Sequence, residues 1–247
     1  MDKEVAVSQV ADTWRSSAMT AHHAPALGRH VVDHLRRLII VGDLPSGTHL
    51  VESQLSETFD VSRGPVRDAL RQLETEGLVE SRRRGVFVIG LSIDGIEELY
   101  SLRQLIEAEA MNLCLGREAR EFDRPRQALA RMEDAAARQD SAAFAEADLD
   151  FHSSFYALAG HRRLENIWHQ YRPTFADMLS VTNAEDRDLA PTYRDHVDLL
   201  DRVASGQATA AIDLLREHID GSRRRMLTAY ARHMSTPRRT TTKELSE

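Results

Sequence analysis

Apolar residues recur with a helical period along most of this chain and with a strand period in one short stretch only. The first regular run is Leu27–Val41, with Val31, Leu35, Leu38 and Ile39 on one face; Gly42 stops it and Pro45-Ser46-Gly47 turns the chain. Two short helical patterns follow. Leu50, Leu55 and Phe59 form the apolar side of the first, and Val66, Ala69, Leu70 and Leu73, at i, i+3, i+4, i+7, that of the second. Ser62 is placed to N-cap the second helix, Pro65 sits in its first turn, and Glu76-Gly77 ends it. Leu78–Ser81 and Val86–Ile89 then read as two strands around the basic turn Arg82–Gly85. Gly90-Leu91-Ser92 is a joint, with Ser92 as the next N-cap. From there on the pattern is helical throughout, at about 93–114, 118–138, 141–159, 161–182, 189–204 and 207–232, with Pro173 expected to kink or divide one helix. Residues 1–26 read as a flexible arm, in which Val5–Trp14 could form a short helix, and 236–247 as a disordered polar tail.

Charge gives the front half a chemistry. Arg63, Arg67 and Arg71 fall at i, i+4, i+8, a cationic stripe beside the apolar one. A helix with exposed arginines at its N-terminal end, preceded by a short helix and a turn, is a helix-turn-helix, and the arginine-tipped hairpin behind it is a wing. Arginine can bond guanine edges bidentately in a major groove or clamp phosphates, and a wing can carry cations to a minor groove. The contacts expected to matter are Arg63 and Arg67, with Ser62 and Gly64 allowing close backbone approach, then Arg71, Arg83, Arg84 and Gly85. The net charge of −7, taken over the whole chain, opposes DNA binding. Residues 27–90, however, hold nine arginines against nine acidic residues, and six of the nine arginines lie on the recognition helix and wing. Local field governs phosphate attraction, so the balance implies weak non-specific binding and reliance on base contacts and dimerisation.

These residues resemble a known family. Leu35–Ile40, the run Gly42 to Leu50, Glu52–Leu55, the run Val61 to Leu70, Leu73-Glu74 and Glu76–Val79 are similar to the N-terminal domain of GntR-type bacterial transcription regulators, over roughly residues 27–90. The fold class expected is mainly α: a winged helix-turn-helix with a small β wing over 27–90, then an all-α bundle of six or seven helices over 91–235.

In the second half the telling positions are ionisable groups on apolar stripes. Phe144, Asp148, Phe151, His152, Phe155 and Tyr156 share one face; Tyr193, His196, Val197, Leu200 and Val203 another; Ala211, Leu214, Leu215, His218 and Ile219 a third. Burying Asp148, His152, His196 and His218 unpartnered would cost several kcal/mol. One divalent ion satisfies all four, and three nitrogens with one oxygen suit zinc, nickel or another first-row metal. The other histidines have no such setting. Arg103 also points inward, on the stripe Ile96, Leu99, Arg103, Ile106, Ala110, Leu113. It either pairs with Glu107 one turn away or receives a carboxylate effector that completes the metal's coordination.

An all-helical domain after a GntR-type winged helix resembles the ligand-sensing FCD domain of the FadR-like branch. Asp148, His152, His196 and His218 match that family's metal positions, within Asp-Phe-His-Ser-Ser-Phe-Tyr and Arg-Asp-His-Val-Asp-Leu-Leu, and its members often sense small organic acids. Ala159-Gly160-His161-Arg162 departs from the family's frequent Ser-Gly-Asn. The resemblance implies a homodimer on a pseudo-palindromic operator and no enzyme activity. The alternative is a helical-bundle metalloenzyme using the same four ligands and a bound water. No inward carboxylate stands out as its general base, and it leaves the winged helix unexplained. A single cysteine, Cys114, the start Met-Asp-Lys-Glu and the lack of an apolar run of the about 18–20 residues that span a bilayer imply a cytoplasmic protein.

Overall fold

A computed structural model describes residues 24–183 and 188–235, so the arm and tail expected at the two ends lie almost wholly outside the described residues. Nine α-helices and one small sheet are described. α1 is Ala24–Ile40, β1 His49–Leu50, α2 Glu52–Phe59, α3 Arg63–Thr75, β2 Val79–Arg82 and β3 Gly85–Val88. The helical half follows as α4 Ile93–Cys114, a 3-10 turn Ala119–Phe122, α5 Asp123–Ala137, α6 Ser141–Ala159, α7 Arg162–Asn183, α8 Ala190–Ala204 and α9 Ala208–Ser235.

The front half is a winged helix-turn-helix. Val31, Leu35 and Ile39 of α1, Leu55 of α2 and Val66, Ala69, Leu70 and Leu73 of α3 are all buried against one another. Asp60 ends α2 in the left-handed region, at φ 51°, which turns the chain into α3. The wing is antiparallel, with Glu80 opposite Phe87 and Arg82 opposite Gly85. Leu50 corrects the sequence reading. It belongs not to the helix but to β1, paired with Val86 at the far edge of a sheet ordered β1-β3-β2. A two-residue strand is too short to leave an alternation that a pattern search could find.

Two further expectations change. Ser62 occupies the N-cap of α3 in extended backbone, but its side chain makes no capping hydrogen bond. Ser92, by contrast, accepts from the Gly95 N–H at 2.9 Å, the cap expected for α4. Pro173 does not divide its helix, because α7 runs unbroken through it. Trp168 on one side and Thr174, Phe175 and Met178 on the other are buried, so packing outweighs the one backbone hydrogen bond that proline removes.

α1 is buried more widely than its single stripe implies. Val32, Arg36 and Ile40, at i, i+4, i+8, form a second buried row, and α1 packs on α7 of the helical half. Under that contact lies Asp177, whose carboxyl is pushed up to about 6, mainly by burial and then by Asp33 and Glu76, against the pull of Arg36 and Arg37. Between its ordinary value and about 6 the folded state holds a proton that the unfolded chain has released. Stability therefore falls as pH rises through this window and levels off above it. Asp177→Asn is expected to flatten that slope and to stabilise the protein at pH 7.5 by about 1–2 kcal/mol, after allowing for partial solvent screening. Urea unfolding of both proteins at pH 5 and 7.5 checks it; an equal loss at both pH values would refute the assignment.

Candidate metal centre and nucleic-acid surface

The helical half brings Asp148, His152, His196 and His218 together, their ligand atoms all within 4.8 Å of one another. Each arrives by the same logic: an amphipathic helix turns its stripe inward and the polar residue travels with it. α6 supplies Asp148 and His152, α8 supplies His196 and α9 supplies His218. Asp148 Oδ1 lies 2.6 Å from His196 Nε2 and 3.5 Å from His152 Nε2, and the two Nε2 atoms are 3.2 Å apart. The His218 ring packs at 4.5 Å from that of His196. A first-row cation about 2.0–2.2 Å from each donor needs donor separations on this scale.

The outer contacts aim the rings. His196 Nδ1 lies 2.7 Å from the Thr192 carbonyl oxygen, and donating there leaves Nε2 bare toward the centre. His152 Nδ1 lies 2.7 Å from Glu107 Oε2, near enough for a carboxylate–histidine pair although the two atoms are not aligned as a hydrogen bond. Burial opposes the charge on Asp148, yet the His196 and His152 rings hold its carboxyl well below the usual range. Burial and the neighbouring imidazoles hold His218 well below its ordinary value, hence neutral. An ionised carboxylate and a neutral imidazole are the forms a metal binds. Burial opposes a charge on His152, but the Glu107 and Asp148 carboxylates together raise it, so a cation there competes with a proton. The residues present fit a divalent metal.

Sequence reasoning missed Glu107, which it treated only as a possible partner of Arg103. The structure gives it both roles: Arg103 Nε donates to Glu107 Oε1 at 2.6 Å, and Oε2 faces His152. Helical spacing revealed the first contact; the second spans 45 residues and leaves no local trace. Glu107 is thus an inward carboxylate next to the ligands, held by Arg103 through Oε1, while Oε2 lies close to His152 Nδ1 without hydrogen-bond alignment. The Arg103 guanidinium lies 5.3 Å from the Phe175 ring centre and 5.9 Å from that of Trp168. Its Nη2 is buried without a hydrogen-bond partner. With Asp148, Thr192, His218 and Ser222 it lines a cavity of about 10 Å³, room for about one water.

On the front half, Arg63, Arg67 and Arg71 are exposed along α3, and Arg83 and Arg84 at the tip of the wing. Their states differ. Arg67 is held by Glu52 of α2, Nη2 to Oε2 at 3.1 Å and Nε to Oε1 at 3.3 Å. Arg71 lies 3.9 Å from Asp68. Arg63, Arg83 and Arg84 have no ion-pair partner among the described residues. Gly64 is exposed, and a Cβ there would meet nothing within 4 Å. Gly85 has a structural reason of its own: its φ is 127°, and a Cβ would collide with the His49 ring, which stacks on Phe87 at 4.6 Å.

No helix among the described residues is long and apolar enough to cross a membrane. Residues 27–89 match the family of bacterial regulatory proteins called the gntR family, and residues 98–221 match the FCD domain. Among curated relatives, the gluconate operon transcriptional repressor of Bacillus subtilis is 28% identical over 189 residues, covering 76% of this chain and 74% of its own. The RmpR protein of Mycobacterium gastri is 31% identical over 211 residues, 76% of each chain. Among solved structures, a GntR chain from Rhodococcus sp. RHA1 is 28% identical with a TM-score of 0.58, covering 82% of this chain and 98% of that one. The McbR/YncC protein of E. coli reaches a TM-score of 0.65 at 18% identity, over 86% of this chain and 100% of that one, a likeness of fold. The gluconate operon repressor, the RmpR protein, the Rhodococcus chain and the gntR family are described as transcription regulators, not as enzymes, and the winged helix and helical bundle agree with the two family matches: this chain is a transcription regulator of the GntR family with a C-terminal FCD domain.

Proposed function

We propose that the protein is a cytoplasmic homodimer that binds a pseudo-palindromic operator and responds to a small carboxylate through a metal held by Asp148, His152, His196 and His218. Residues 27–90 form the DNA-binding unit and 91–235 the sensor. The observation that carries this reading is the convergence of four donors from three helices beside a buried guanidinium with an unsatisfied Nη2. Zinc or nickel suits this donor set and, with a position left open, supplies a Lewis-acid anchor for one carboxylate oxygen. Arg103 then takes another oxygen of the same anion. A cavity of about 10 Å³ cannot hold even acetate, so binding requires the surrounding helices to move, which is what a sensor needs in order to report.

Dimerisation is supported by α4, where Leu102, Leu105 and Leu113 share a face; Leu105 is 69% exposed, and Leu113, read from the sequence as inward, is 38% exposed. Ser62, Arg63, Gly64, Arg67 and Arg71 read the half-site, and Arg83, Arg84 and Gly85 approach the flanking backbone. The likeness to a gluconate operon repressor makes a sugar acid a sensible first probe. The test is a gel shift with duplex DNA from upstream of the chain's own gene, at 50 and 200 mM salt, with and without added gluconate. A discrete, salt-sensitive complex that outlasts excess competitor DNA is expected. Smearing alike on all sequences would refute the reading.

A further inference from the structure

The sensor and the recognition helix meet at one buried polar cluster that neither the metal centre nor the DNA surface accounts for. We propose that the Thr174 hydroxyl and the Glu76 carboxylate form the joint through which a change at the metal centre moves the recognition helix, with Arg36 as the fixed pivot. This inference rests on the function proposed above and adds positioning residues to it.

Glu76 is the C-cap residue of α3, so its place fixes the far end of the helix whose near end carries Arg63. Its side chain is fully buried and takes four donors from three helices. Arg36 of α1 gives Nε to Oε2 at 2.6 Å and Nη2 to Oε1 at 2.8 Å. Gln72 of α3 donates to Oε1 at 3.1 Å. Thr174 of α7, fully buried, donates to Oε2 at 3.3 Å across the boundary between the two halves. The Arg36 pair lies wholly within the winged helix and is short and bidentate. The Thr174 contact is single, longer and the one that crosses, so it is the contact that can break or tighten while Glu76 stays satisfied.

The other side of α7 faces the sensor. Phe175, next to Thr174, and Trp168, two turns earlier, are the rings around the Arg103 guanidinium. Trp168 Nε1 also donates to Ser153 of α6, one residue past His152. A displacement of Arg103 or of α6 therefore acts on α7 directly. Pro173 removes one backbone hydrogen bond immediately before Thr174, which makes this the segment of α7 that bends at least cost. A chain of contacts is not by itself a coupling, so the test has to measure coupling.

The measurement is the operator affinity of the full chain by fluorescence anisotropy, for zinc-loaded and chelator-stripped protein at one salt concentration. The probe is zinc itself and the DNA is the chain's own upstream duplex. The wild-type ratio of the two dissociation constants is expected to be roughly fivefold or more. Thr174→Val keeps the volume and leaves Glu76 its Arg36 partner, so it should fold, bind zinc at wild-type stoichiometry and show a ratio below about twofold. Thr174→Ser restores the hydroxyl and should restore the ratio. A Thr174→Val protein that keeps the wild-type ratio overturns the joint, as does a Thr174→Ser protein that behaves like Thr174→Val. A wild-type protein that binds zinc and operator but shows no ratio overturns the joint and leaves the proposed function standing. A wild-type protein that takes up no zinc, or makes no specific complex, removes the function and the joint together.

Discussion

His196→Ala is expected to lower metal affinity by more than about 100-fold, beyond the 10–100-fold that loss of an outer partner usually costs. His196 is the donor nearest the carboxylate, 2.6 Å from Asp148 Oδ1, and 3.2 Å from His152 Nε2, so its removal takes away the ring that holds the site's two halves together. It also strands Asp148, a buried carboxylate whose charge depends first on His196. The variant should therefore purify with little metal, lose the effector response and unfold at a lower temperature. Chelator should lower the wild-type melting temperature, since saturating a site at 100 times its Kd adds about 2.7 kcal/mol, and should barely move that of the variant. Operator binding by the winged helix, whose contacts lie in the other half, is expected to keep its salt dependence. Metal analysis of the two purified proteins decides the matter, and equal stoichiometry would dismantle the ligand set.

That site could be read from the sequence because a buried helical face obeys a 3.6-residue period. Asp148 and His152 are one turn apart among phenylalanines, and His196 and His218 interrupt rows of leucine, isoleucine and valine. A polar residue in such a row must find a partner, and four from three helices imply a shared one. The same rule fails for partners set by tertiary placement. Arg36 lies off the apolar stripe read for α1, and nothing local announces that the helix packs on two neighbours at once. Glu107 was seen through Arg103, four residues away, and not through His152, 45 residues on. Leu50 went to the wrong element because its strand partner, Val86, lies across the whole helix-turn-helix. Ser62 fits the cap position by residue type, yet its hydroxyl makes no capping hydrogen bond.

Arg63→Ala is expected to weaken operator binding more than the same change at Arg67, although the two arginines sit one turn apart on one face. Arg63 occupies the first turn of α3, exposed and without an ion-pair partner among the described residues, so its guanidinium reaches DNA at no cost to the protein. Arg67 has to surrender Glu52 before it can reach DNA, so its net contribution to binding is smaller. A bidentate base contact is worth roughly 1–3 kcal/mol, about 5- to 150-fold per half-site, and a dimer loses it twice. The loss of specific affinity should thus fall between about 30-fold and 10⁴-fold, with metal content and melting temperature unchanged. Salt dependence then separates the two modes of contact. If Arg63 reads a base, the slope of log K against log salt stays at the wild-type value while the penalty for a changed base pair shrinks. If it only clamps a phosphate, the slope falls by about 0.9 per half-site and all sequences weaken alike. Wild-type affinity and wild-type preference together would mean that α3 does not enter the groove by its N-terminal end.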